Sequence, residues 1–214
     1  MSRSLILLII TLSVICSCNN DSRDNSLSQS RIEKKYIVLD SLNNLFLDGN
    51  LNSSRIGMEQ YVEEYPDADY GFGLLGSIYL QLNEDSLAKI SIEKAISINP
   101  GNYGALTSYG IFLDKRKNYE AAEKFYKKAI NIKPDFFQAY SNLMSNQINL
   151  GYYQQARIYG EKAVELGHKD TDKGLLCAIY HKLGVNDKRD SLYIDLKNRR
   201  YKNLNNLEEI IFDN

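Results

Sequence analysis

Residues 5–15, LILLIITLSVI, are apolar apart from Thr11 and Ser13, whereas residues 19–30, NNDSRDNSLSQS, hold a single leucine. The first run lacks the polar residues at every third or fourth position that an amphipathic helix shows, and it is shorter than the roughly 20 apolar residues a membrane-crossing helix needs. Preceded by Arg3, it reads as the apolar region of a secretory leader. The second run has no periodicity and reads as a flexible tether. Beyond it the spacing becomes helical. In YEAAEKFYKKAINI, residues 119–132, Tyr119, Ala122, Phe125, Ala129 and Ile132 recur at three- and four-residue intervals, with Glu120, Lys124, Lys127 and Lys128 on the other side. That pattern predicts an amphipathic helix. NLNNLEEIIF, residues 203–212, places Leu204, Leu207, Ile210 and Ile211 on one stripe and predicts a closing helix.

The chain has three prolines, Pro66, Pro100 and Pro134, each 34 residues after the last. A fixed period of that size marks repeat architectures, and proline ends a helix because it lacks an N–H and disfavours helical geometry in the residue before it. Counting from residue 103, Gly110 is eighth, Tyr119 seventeenth, Ala122 twentieth, Ala129 twenty-seventh and Pro134 thirty-second. One period earlier stand Phe72, Leu75, Gly76, Tyr79, Ala88, Ala95 and Pro100, and one later Tyr140, Leu143, Gly151, Tyr153, Ala156 and Ala163. These residues resemble the tetratricopeptide repeat family. The resemblance implies an all-α fold: a right-handed superhelical solenoid of antiparallel helix pairs, about five pairs plus a C-terminal capping helix.

Repeats are expected at 69–102, 103–136 and 137–170, inside a domain spanning 35–204. Degenerate outer repeats at 35–68 and 171–204 fit the general rule that end repeats have one face in water. Residues 205–214 would cap the stack. The third repeat departs from the pattern at Met144, where the eighth position is small, and at Gly160, where an aromatic is usual.

Where the apolar leader ends, the residues ICSC resemble a bacterial lipoprotein signal, in which a small residue precedes a cysteine that is lipidated and becomes the new N-terminus. Ile15 and Ser17 match the positions three and one before that cysteine if it is Cys18, with Cys16 as the departure. The expected organisation is then a signal peptide over 1–17, a lipid on Cys18, a tether over 18–34 and the repeats. The corresponding address is the cell envelope, lipid-anchored to a membrane; ordinary secretion or a periplasmic location is the competing one.

Composition narrows the chemistry. With 26 basic and 27 acidic side chains the chain has no global field to attract a polyanion, so nucleic acid is not an expected partner. The three cysteines, Cys16, Cys18 and Cys177, are too few for a disulfide scaffold. Cys177 and His181 are four apart on a predicted helix, the spacing of a thiolate–imidazole pair or half a metal site. They also occupy the seventh and eleventh repeat positions, which are interior. His168 falls in an inter-repeat turn, and KNRRYK, residues 197–202, is a basic cluster on a solvated helix face. No constellation supports catalysis, and no cofactor, metal or small-molecule substrate is expected.

A binding surface remains. In the family that these residues resemble, the second, fifth, ninth and twelfth or thirteenth positions of successive first helices line a concave groove for a peptide or partner helix. Here they are Tyr70, Gly73, Ser77 and Gln81; Gly104, Thr107, Ile111 and Asp114; Gln138, Ser141, Ser145 and Asn149. Such small polar groups suit hydrogen bonds to a peptide backbone. The expected role is a membrane-tethered scaffold for an unidentified protein or peptide, and the alternative is an enzyme or metal-binding protein built on Cys177 and His181.

Overall fold

The computed structural model describes residues 33–167 and 169–212, and every regular element among them is a helix. The leader, Cys16, Cys18, most of the tether and His168 lie outside the described residues. The chain divides into two compact units, Met1–Pro66 and Asp67–Asn214.

In the first unit, α1 covers 33–47 and α2 covers Leu51–Glu64. The Ser54 hydroxyl donates to the Leu42 carbonyl at 2.9 Å, and Leu42 fills the space that Gly57 leaves open. In the second unit the helices are α3 (Asp69–Gln81), α4 (Asp85–Ile98), α5 (Tyr103–Lys115), α6 (Tyr119–Ile132), α7 (Phe137–Asn149), α8 (Tyr153–Gly167), α9 (Asp170–Lys182), α10 (Asn186–Asn198) and α11 (Leu204–Phe212). From α3 to α10 they pack as consecutive pairs. The second helix of one pair meets the first of the next, as α4 meets α5, α6 meets α7 and α8 meets α9, while α11 lies on α9. This is the solenoid of helix pairs that the repeat pattern implied.

Backbone chemistry sets the pairs. Within each, the turn between the two helices contains one residue in the left-handed region: Gly49, Asn83, Lys117, Gly151 and Gly184. The next residue returns an N–H to the first helix, as Glu84 does to Tyr79 at 2.9 Å and Asn118 to Leu113 at 3.0 Å. That is a Schellman-type ending, which favours glycine and tolerates asparagine. Lys117 is the misfit, at φ 59°. Lys117→Gly is therefore expected to raise the unfolding free energy by about 1 kcal/mol, read as a higher denaturant midpoint at unchanged slope.

Small residues then let the helices close. Ala88, Ala95, Ala122, Ala129, Ala156 and Ala163, all on second helices, are fully buried. A Cβ at Gly76 would lie 2.4 Å from Ile92, and one at Gly110 would lie 2.4 Å from the Tyr126 ring. The third repeat inverts the arrangement. Met144 stands where Gly110 stood, and Gly160 stands where Tyr126 stood, its open space filled by the Met144 sulfur at 2.6 Å from a built Cβ. The two departures in the sequence are thus one exchange of bulk across a single contact, a large side chain facing a glycine in either case.

Two predicted stripes are corrected. On α6, Ile132 is 46% exposed, and the large side chain fully buried beside Ala122 and Ala129 is Tyr126. The wide face opposite Gly110 accepts its ring, and its hydroxyl donates to Asp114 at 2.7 Å, so the polar tip has a partner when buried. On α11, Leu207 and Ile211 pack against Cys177 and Leu196, whereas Ile210 is 54% exposed. A nine-residue helix lying on one neighbouring pair has only one face to bury.

Candidate binding groove

The groove positions come from α3, α5 and α7, with α3 against α5 and α5 against α7. At the start of α3, Tyr70 is half exposed, and its ring meets Tyr103 edge-on at 6.3 Å. Tyr103 in turn meets Phe136 at 4.8 Å, giving a chain of three aromatic rings. Behind it, Asn102 caps α5 by accepting the Ala105 N–H at 2.9 Å, and donates to Asp69 at 3.0 Å together with Asn99 at 2.8 Å. Asp69, in the first turn of α3, is thereby tied to the turn that opens the next pair.

The small hydroxyls along the groove floor are already engaged. Ser77 and Ser108 lie 2.7 Å apart, joining α3 to α5. Asp114 accepts from Asn146 at 2.7 Å, joining α5 to α7. Ser141 donates to Asp172 at 2.7 Å, joining α7 to α9. Each contact joins one first helix to the next. Thr107 is buried and donates to the Tyr103 carbonyl at 2.9 Å, and Ser145 donates to that of Ser141 at 3.2 Å. Ile111 packs beside Ala122, Tyr126 and Leu143. Gly73 is buried against Ala105 and Asn102, where a Cβ would still fit at 3.5 Å. Gln81 and Asn149 are exposed and Gln138 half-buried, and none of the three makes a side-chain hydrogen bond among the described residues.

Asp114 is the most constrained of these groups. Burial pushes its carboxyl up from the ordinary value, opposed by the donors Tyr126 and Asn146. Asn146, fully buried, also donates to the Tyr119 carbonyl at 2.9 Å, so one amide closes α5, α6 and α7 together. Asn146, Ser108 and Asp172 were not among the expected groove residues. Their signal was present in the register as polar residues 31 or 32 positions after another polar residue, a little short of the 34-residue repeat.

A second concavity of about 360 Å³ lies between α8, α9 and α10, with Val164, Leu176 and Leu192 in its wall. On its rim Glu161 accepts from Tyr180 at 2.7 Å and Lys188 at 2.8 Å. Burial alone would raise the Glu161 carboxyl, but these donors and Arg157 hold it below the ordinary value. The acid serves to clamp α10 to α8 and α9.

Cys177 is fully buried beside Leu196, Leu207 and Ile211, and burial pushes its thiol up to about 11. Its S–H reaches the Arg189 carbonyl at 3.4 Å. A nucleophilic thiolate needs a lowered pKa and access, and this site has neither. The ring of His181 faces Arg189, Nδ1 to Nη1 at 3.5 Å. Among the described residues no three His, Cys, Asp or Glu side chains are grouped to hold a metal.

Parts of this chain resemble known proteins. Among curated proteins, the peroxisomal targeting signal receptor of Eremothecium gossypii is 31% identical over 113 residues, 49% of this chain. The match spans only 19% of that relative's length. Among solved structures, pilF of Pseudomonas aeruginosa superimposes with a TM-score of 0.66 at 20% identity, over 77% of this chain and 75% of that one. A thermophilic repeat protein of Thermus thermophilus gives 0.66 at 16% identity, over 76% and 90%. Residues 71–102 and 103–136 match the family model described as Tetratricopeptide repeat, so these two stretches are tetratricopeptide repeats within the solenoid of helix pairs.

Proposed function

We propose that this chain is a membrane-anchored interaction scaffold: a lipid on Cys18, a short tether, and a repeat domain that holds a segment of a partner protein along α3, α5 and α7. The observation that carries the binding role is the groove itself, a bonded polar floor with Gln81, Gln138 and Asn149 left without hydrogen bonds to described residues. Such amides can pair with the N–H and C=O groups of an extended backbone. The receptor name of the Eremothecium relative supports a binding role for the shared repeats. The envelope address rests on the leader and the ICSC residues alone. The burial of Cys177 favours binding over chemistry at that residue.

Two measurements test the two halves. Metabolic labelling with a palmitate analogue is expected to mark the parent and not Cys18→Ala; equal labelling removes the anchor. Photo-crosslinkers placed at Gln138 and Asn149 are expected to trap a shared partner in cells, while one at Ile158, exposed on the second helix α8, traps none. The reverse pattern would move the binding surface off the groove.

A further inference from the structure

The second repeat carries charge that its neighbours do not. Residues 103–136 hold seven Lys and Arg against four Asp and Glu, whereas residues 69–102 hold two against four. Most of that charge is on α6 and the turn before it. The exposed face of α6 consists of Glu120, Lys124, Lys127, Lys128 and Asn131, with Ile132 at its end. Lysines at positions 124, 127 and 128 share one helical stripe. Lys127 is engaged by Glu123 at 2.6 Å. Arg116, Lys117, Lys124, Lys128 and Lys133 enter no ion pair among the described residues.

Three of these cations are held in place by rings. The Arg116 guanidinium lies 4.9 Å from the Phe112 ring, Lys128 lies 5.2 Å from Phe125, and Lys133 lies 5.0 Å from Tyr103. Phe112 and Phe125 are bridged by Tyr109 at 5.8 and 4.7 Å. Positioning of this kind lowers the rotamer entropy that a long cationic side chain loses on binding. In the C-terminal basic run, Arg199 is occupied by Asp195 at 3.1 Å and Asp170 at 3.7 Å, and Lys197 lies 5.7 Å from the Tyr193 ring.

We propose that the outward face of α6, with the preceding turn, docks an acidic segment of a partner protein, separately from the groove formed by the first helices. Charge complementarity defines the occupant: unpaired cations on a helix face call for carboxylates. Cations fixed on rings read the positions of carboxylates, whereas a lipid surface responds to their number. The face also offers only Ile132 as an exposed large apolar side chain, and no exposed aromatic to seat in a headgroup layer.

The test uses the full chain and a fluorescein-labelled peptide of alternating Glu and Ser, with a Gln and Ser counterpart and phosphatidylserine vesicles beside it. The Glu peptide is expected to bind, more weakly as salt shortens the screening length, and to lose at least about tenfold in affinity in Lys124→Glu/Lys128→Glu. Gln138→Ala should leave this binding unchanged, so loss of the groove reading and loss of this one are told apart. Thermal melts check that the reversed variant folds, and Lys124→Gln/Lys128→Gln replaces it if it does not. Equal binding of the Gln peptide, full affinity in the charge variants, or binding to vesicles without binding to the Glu peptide would each overturn the proposal.

Discussion

Tyr126→Ala is expected to lower the unfolding free energy by about 3–5 kcal/mol, the range for truncating a large buried aromatic. The side chain is fully buried, fills the space that Gly110 leaves open, and donates its hydroxyl to Asp114 at 2.7 Å. Removing it opens a cavity between α5 and α6 and deprives a half-buried carboxylate of a donor. Tyr126→Phe separates the two effects. It keeps the ring and leaves Asp114 with Asn146 alone, a loss of about 1–3 kcal/mol for an under-satisfied buried acceptor. The pH dependence has a definite sign. Asp114 is already raised by burial, and losing the Tyr126 donor raises it further. A carboxyl raised in the folded state favours folding below its unfolded pKa, and that contribution is lost as pH rises through the folded pKa. The gap between Tyr126→Phe and the parent should therefore narrow on acidification. Equilibrium denaturation across pH checks this, and a gap that widens towards low pH would remove Asp114 from the account.

The second large effect concerns the inverted contact of the third repeat. Gly160→Phe drives a ring into Met144 and Leu176, whose atoms lie 2.6 and 3.1 Å from a Cβ built on Gly160. An overpacking cost of about 1–3 kcal/mol is expected. Met144→Gly removes a fully buried side chain and adds a helical glycine, costing about 3–5 kcal/mol. Combined, the two changes restore the bulk arrangement of Gly110 and Tyr126, and the double variant should be more stable than additivity allows by about 1–2 kcal/mol, the scale for coupled neighbours. Additive losses in the double-mutant cycle would mean that the exchange of bulk is not what unites these two positions.

How far each feature could be read depended on the range of the interaction behind it. The pair-by-pair order of helices was legible because prolines, alanines and glycines recurred at one period. The packed face of α6 was legible only in part: Ala122 and Ala129 lie where the stripe put them, while Tyr126 took the place given to Ile132. Burial of Tyr126 depends on Gly110, sixteen positions earlier, and on Asp114 as its acceptor, neither of which a local stripe contains. The groove was least legible. Ser77, Asp114 and Ser141 looked like waiting donors and acceptors, yet each is matched across to the next first helix.

The sequence by itself determined that this chain forms helix pairs of one length, because periodic small and apolar residues, helix-ending prolines and turn residues act over a few positions at a time. The proposal of an envelope address rests on the apolar run at residues 5–15 and on Cys18. Only the tertiary structure decided which polar groups of the groove are already bonded, that Met144 and Gly160 compensate one another, and that Arg116, Lys128 and Lys133 lie over rings and outside any ion pair among the described residues. Those outcomes depend on which side chains meet between helices, at separations no periodic pattern specifies.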